Sequence, residues 1–104
     1  MPRSKQGKAV SLPYVIIRTQ SAGVFAGLLV SRTGSECELH SARRLWYWDG
    51  AATLSQLSME GVSRPQNCKF PPHVESITLL GVIEVLSTTD RARNSIEGVP
   101  VWRA

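Results

Sequence analysis

A chain of 104 residues, 42% of them hydrophobic, has material for one core, and domains of this length are single. Charged residues make up only 19%, below the usual quarter or so, so part of the surface reads as covered by another subunit or partner. The net charge is +4, and two cysteines are too few for the disulfide framework of a small secreted domain, which excludes that class.

Met1 to Leu12 is polar, basic and without periodicity, and reads as a flexible tail. Before Glu36 there are five bases (Arg3, Lys5, Lys8, Arg18 and Arg32) and no acid, whereas from Glu36 onward seven bases meet eight acids. Such a basic leading segment favours polyanions, and Arg3, Lys5 and Lys8 are its candidate contacts to nucleic acid or an assembly neighbour. Solubility is the plainer explanation of the same charge.

Residues 13–104 read as one β-rich domain. Pro13 opens a strand over Tyr14–Thr19, rich in β-branched residues. Gln20–Gly23 is a turn, and Val24–Arg32 is predicted as a second strand pairing back on the first, with Gly23 and Gly27 marking a bulge or close backbone approach. The stretch Tyr14–Val30 contains Arg18, Gln20 and two glycines, so it is neither a signal segment nor a membrane span. A soluble, intracellular protein with reduced thiols and no membrane partner is expected.

After the turn at Thr33-Gly34-Ser35, a long third strand is predicted over Glu36–Trp48, bulged near Ser41-Ala42. Asp49-Gly50 breaks it. Ala51–Gly61 changes period and suits a short helix, capped by Thr53 or Asp49 and ended by Gly61. Val62–Pro72 is predicted as a loop because Pro65, Pro71 and Pro72 deny it regular structure. Two further strands, Val74–Leu80 and Val82–Ser87, flank Gly81. Thr88 or Thr89 caps a second helix over Asp90–Glu97, and Val101-Trp102 closes the chain on a sheet edge. The expected class is α+β: a small antiparallel β-barrel or rolled sheet of about five strands with two short helices.

The most unusual segment is Ser41–Gly50 (SARRLWYWDG). On a strand, alternation puts Arg44, Trp46 and Trp48 on one face and Arg43, Leu45, Tyr47 and Asp49 on the other. One face must be core; the other would expose aromatics beside a guanidinium, which suits stacking on a base and gripping a phosphate. The same residue types dominate subunit interfaces, and both tryptophans could equally be core. The Gly50 turn, leading into a helix, could aim amides at an anion, although its spacing matches neither a P-loop nor a dinucleotide fingerprint. Arg43, Arg44, Trp46, Trp48 and Gly50 are therefore the candidate ligand-binding residues, with Arg43 reaching a second phosphate if the strand is bulged.

Cys37, His40, Cys68 and His73 form a set zinc would accept, but residues three apart on a strand point to opposite faces, and no metal or other cofactor is expected. Glu38 and His40 share a strand face and could form an acid/base pair; two exposed polar side chains explain them more simply, and no nucleophile elbow or paired-carboxylate motif is present. A non-enzymatic binder is expected.

Tyr14–Gly27 (YVIIRTQSAGVFAG), Ala42–Leu57 (ARRLWYWDGAATLSQL), Cys68-Lys-Phe and Ile96–Trp102 (IEGVPVW) together resemble a family of small tailed-phage proteins, over nearly all of the chain except the basic tail. The resemblance implies a phage origin and carries over no catalytic residue. Small phage proteins act as virion components, inhibitors of host defence, or binders of nucleic acid or nucleotide signals, so it implies either the host cytoplasm during infection or the virion. The expected function is a phage-type, homo-oligomeric binding protein holding a nucleotide or nucleic acid on the Arg/Trp face, as in sequestering a nucleotide signal. The alternatives are a virion or capsid assembly component using that face as a subunit interface, and double-stranded nucleic-acid binding through the basic tail.

Overall fold

The computed structural model describes residues 11–104; the tail candidates Arg3, Lys5 and Lys8 lie outside them. Five strands form one antiparallel sheet: β1 (Tyr14–Thr19), β2 (Val24–Thr33), β3 (Glu36–Arg44), β4 (Val74–Leu79) and β5 (Val82–Ser87), in the order β4-β3-β2-β1-β5. The first four strands form a meander, and β5 returns to pair with β1.

β4 and β5 stand on opposite edges of the sheet, yet only Leu80 and Gly81 separate them in the chain. So short a link can join two edges only if the sheet curls until they meet. The hydrogen bonds at that corner agree: Gln20 N–H donates to the Gly81 carbonyl at 2.8 Å, and Val82 N–H donates to the Ser35 carbonyl at 2.9 Å. Both the β1–β2 and β2–β3 turns thus converge on Gly81. Among the described residues no ladder joins β4 to β5, so of the two expected closures the structure is the rolled sheet and not the closed barrel.

The curl explains why β1 buries four consecutive residues, Tyr14 to Ile17. Tyr14 and Ile16 face a cluster with Ala26, Leu45, Leu57, Phe70 and Ile96 on the helix side. Val15 and Ile17 face a second cluster inside the roll, with Phe25, Cys37, Leu39, Ala42 and Leu79. Burying each large aliphatic or aromatic side chain stabilises by about 1.5–3 kcal/mol. A strand that buries both faces reads as a continuous apolar run, as β1 does.

The ladder of β2 with β3 slips at Gly27 and again near Val30. Opposite Gly27, β3 carries an additional residue, and Ser41 takes a positive φ of 51°. This is the bulge expected at Ser41-Ala42. Glycine is needed opposite it because a Cβ on Gly27 would lie 3.0 Å from Ala42 Cα. The additional residue shifts the alternation of faces: Cys37, Leu39 and Ala42 all face the inside of the roll, and Arg43 turns to the helix side.

Two helices cover that side. Helix α1 (Leu54–Glu60) starts at Thr53, whose hydroxyl accepts from Gln56 N–H at 3.1 Å, and stops at Gly61. Helix α2 (Asp90–Glu97) starts at Thr89, which accepts from Ala92 N–H at 3.0 Å, with Asp90 in its first turn, where a negative charge suits the helix dipole. The helices are tied together by Thr89 Oγ1 donating to the Met59 carbonyl at 2.7 Å and by Ser95 Oγ accepting from Val62 N–H at 2.9 Å. The segment expected as a plain loop contains a short 3₁₀ turn, Pro65–Asn67. Its proline sits at the first position, where a missing N–H costs nothing.

Candidate functional site

β3 ends at Arg44, not at Trp48 as expected. Beyond it the chain abandons strict alternation: Leu45 is buried, Trp46 and Tyr47 are 65% and 50% exposed, and Trp48 packs back against the helix-side core. The expected face shared by Arg44, Trp46 and Trp48 therefore does not form. Arg44 stands on the side of Phe25, inside the roll, while Trp48 belongs to the opposite cluster.

Arg43 is completely buried. Its Nη1 donates to the Ile96 carbonyl at 2.9 Å, its Nε to Pro71 at 3.2 Å and its Nη2 to Phe70 at 3.3 Å. Burial draws its pKa below the ordinary value, against the opposing pull of Tyr14, Cys68 and Glu97. With its donors committed to carbonyls and no solvent contact, Arg43 cannot receive a ligand phosphate, and it leaves the binding set. The bulge that was expected to free it is what turns it inward.

Arg44 remains exposed. Its Nη1 donates to the Ala22 carbonyl at 2.8 Å and its guanidinium lies 4.5 Å from the centre of the Phe25 ring. It forms the rim of a small cavity of about 110 Å³ with Phe25, Pro72, Val74 and Ile77.

The Gly50 turn is not an open amide cradle. Asp49 N–H points at Cys68 Sγ, and Ala52 N–H donates to Gln56 Oε1 at 2.8 Å. The positive φ of Gly50 (95°) instead admits the loop at Ser63, whose N–H donates to the Gly50 carbonyl at 3.3 Å. Gly50 itself lines a small cavity of about 130 Å³ with Ser63 and Arg91, away from the Tyr47 bridge.

Asp49 orders this turn. Asn67 Nδ2 donates to its Oδ2 at 2.9 Å and Arg64 Nη1 lies 3.6 Å from Oδ1. The Asn67 hydrogen bond first, then Arg64, holds its carboxyl below the ordinary carboxylate value. A depressed native pKa means the stabilisation is complete above the unfolded-state value and lost as pH falls through the native one. Asp49→Asn should therefore lower stability in the neutral region, leave the acid end little changed, and so flatten part of the acid limb of a stability-versus-pH curve measured by urea unfolding.

The structure assembles a group of residues that sequence reasoning did not. Tyr47 bridges Lys69 in antiparallel fashion, through N···O distances of 3.3 and 2.8 Å, and Phe70 bridges Val101 in parallel, with Trp102 N–H donating to the Phe70 carbonyl at 3.0 Å. The C-terminal segment thus meets the Lys69–Phe70 segment and not a named strand. These bridges bring Lys69 Nζ within 5.9 Å of the Tyr47 ring centre and 5.6 Å of the Trp102 ring centre, inside the range of cation–π attraction. Trp102 is 45% exposed. Tyr47, Lys69 and Trp102 make an aromatic and basic surface, and none of them is in the predicted binding set; Trp46, which is, stands exposed one residue before Tyr47 in the chain. The alternation of buried Cys68, exposed Lys69 and buried Phe70 was the available sign that Lys69 faces outward.

Glu38 and His40 do meet, with Oε2 and Nε2 2.9 Å apart and both side chains nearly half exposed. Neither lines any of four surface cavities of about 110 to 270 Å³. The zinc-type set is divided, with Cys37 in the cluster inside the roll and Cys68 in the helix-side cluster; both thiols are free, and burial raises both pKa values. Among the described residues no three His, Cys, Asp or Glu side chains gather as a ligand group, and no helix is long and apolar enough to cross a membrane.

The model of a domain of unknown function, DUF6948, matches residues 12–96. The chain belongs to the DUF6948 family. No curated protein and no solved structure matches it. The match takes in Trp46, Tyr47 and Lys69 of this DUF6948 chain and stops short of Trp102.

Proposed function

We propose that this DUF6948 chain is a non-enzymatic binding protein that engages an anionic, base-containing ligand, a nucleotide or nucleic acid, on the surface formed by Tyr47, Lys69 and Trp102, with the exposed Trp46 as a further stacking residue. One observation carries the reading: two large aromatic side chains, Tyr47 and Trp102, stand 50% and 45% exposed, each within cation–π range of the same lysine. Large exposed aromatics beside cations suit base stacking with phosphate contact. Arg44, exposed two residues before Trp46, adds positive charge. The likeness to small tailed-phage proteins supports a role in infected cells or in the virion, sequestration of a nucleotide signal being one use of such a surface.

Tryptophan quenching with a panel of nucleotides and short oligonucleotides tests the reading, and absence of quenching by every member would end it. Trp46→Ala is expected to weaken binding about tenfold, since stacking on one aromatic contributes roughly 1–3 kcal/mol. Its folding stability should change by less than about 0.5 kcal/mol, because the side chain is mostly in solvent.

A second reading makes the same surface a contact between copies or with a capsid neighbour. It is favoured by Val101, 43% exposed next to Trp102 in the chain, an aliphatic side chain in solvent of the kind that subunit interfaces cover. Concentration-dependent mass measured in solution, abolished by Trp102→Ala, would support it over the first.

A further inference from the structure

We propose that the ligand of this aromatic surface is a single-stranded nucleic acid, DNA or RNA, and not a free nucleotide or a duplex. The inference rests on the binding reading above and narrows it.

Sites for small ligands are concave and enclose most of the molecule. Among the described residues, Tyr47, Lys69 and Trp102 line none of the four cavities described above, and the rings of Tyr47 and Trp102 stand 50% and 45% exposed. A mononucleotide stacked on one open ring would keep much of its surface in water and gain little. A strand gains from several such contacts in succession, because each base offers a face to the next aromatic and each phosphate passes a cation. A duplex hides its base faces in its own stack, so exposed indoles would find only backbone and groove edges.

The charge around the platform fits a phosphate chain. Between Arg44 and Trp48, at Lys69-Phe70, and from Val101 to Arg103, the sequence has three bases and no acid. The nearest carboxylate in sequence, Asp49, is held by Asn67 and Arg64. Among the described residues Lys69 makes no ion pair. Its ammonium sits near the outer limit of cation–π range from both rings, and its flexible stem lets it swing to a phosphate at small cost. The platform is also fixed in advance, because Tyr47, Lys69 and Trp102 are held by the backbone hydrogen bonds of the two bridges. A surface already in its bound geometry has less ordering entropy to lose.

The test uses the full chain at near-physiological salt. Fluorescence anisotropy would follow labelled oligothymidylate and oligouridylate of 4 to about 16 nucleotides, with thymidine monophosphate and a duplex of matched length as competitors. Affinity should rise with strand length, and the single strand should compete at least about tenfold better than duplex or mononucleotide. A preference between the two oligomers identifies the natural polymer. Trp102→Ala and Lys69→Gln should each weaken binding about tenfold; Lys69→Gln alters only an exposed side chain and guards against loss of fold in the other variant. If the mononucleotide binds as well as a 12-mer (roughly two platforms long), or the duplex binds better, the single-strand inference is overturned while the binding reading stands. Oligomer binding that neither variant weakens overturns it too, since the strand would then lie elsewhere. If nothing binds, both readings fall.

Discussion

Replacing Arg43 with alanine should cost about 3–5 kcal/mol of folding stability, the range for truncating a buried charged or large side chain whose partners stay behind. Three carbonyls, of Phe70, Pro71 and Ile96, would each lose the Arg43 donor; those of Phe70 and Ile96 keep the N–H of Trp102 and Val99, while that of Pro71 is left unpaired, which costs about 1–3 kcal/mol. The residue joins three parts of the chain: β3, the segment after the 3₁₀ turn, and the end of α2. Helix α2 has no basic residue in its last turn, and Ile96 lies in that turn. Arg43 therefore supplies from β3 the cation that the negative end of the helix favours. Its guanidinium also lies 5.4 Å from the centre of the Phe70 ring. Urea unfolding of Arg43→Ala should show the loss, with a melting temperature lower by about 15–30 °C. Arg43→Lys should recover only part, because one ammonium cannot serve three carbonyls set in a fork. A loss under about 1 kcal/mol for the alanine variant would show that the three contacts do not hold the fold together.

Much of the fold was legible because local chemistry and tertiary context agree. The Thr-capped helices, the turns at Gly34 and Gly81 and the apolar run of β1 all stand where the sequence places them. Even the bulge at Ser41 could be read, from the change between poor and strong alternation around Ser41-Ala42. What could not be read was its consequence. One additional residue exchanges the two faces of everything after it and turns Arg43 to the helix side, where the bulge was expected to let it reach a phosphate; Trp48 parts from Arg44 because β3 ends at Arg44 and strict alternation stops there. Closure was also hidden: the two-residue link at Leu80-Gly81 looks like a hairpin, but it joins opposite edges of a curled sheet.

The candidate surface was legible only in part, for a different reason. Trp46 stands out in any reading of ARRLWYWDG. Lys69 and Trp102 do not, because they reach Tyr47 through isolated bridges more than twenty residues away in sequence. Neither belongs to a named strand, and the three-residue alternation Cys68-Lys69-Phe70 is too short to stand out. Short bridges of this kind depend on the surrounding core: buried Phe70 anchors the segment, and the exposed neighbours follow from its position.

Gly50→Ala should destabilise by about 2–5 kcal/mol, adding the strain of a positive φ to an overpacked contact. A Cβ there would stand 2.5 Å from Ser63 N and 2.7 Å from Arg64 N. Those are backbone atoms, and Ser63 is itself bonded to the Gly50 carbonyl, so the loop cannot step aside without losing that bond. Gly34 provides the matched comparison. It too has a positive φ, of 60°, but nothing lies within 4 Å of its Cβ position. Gly34→Ala should therefore cost only the conformational part, about 1–2 kcal/mol. The difference between the two variants, measured by chemical unfolding, isolates the steric demand of the Ser63–Arg64 approach. Equal losses would mean that the loop yields freely, and that Gly50 is needed for its backbone angle alone.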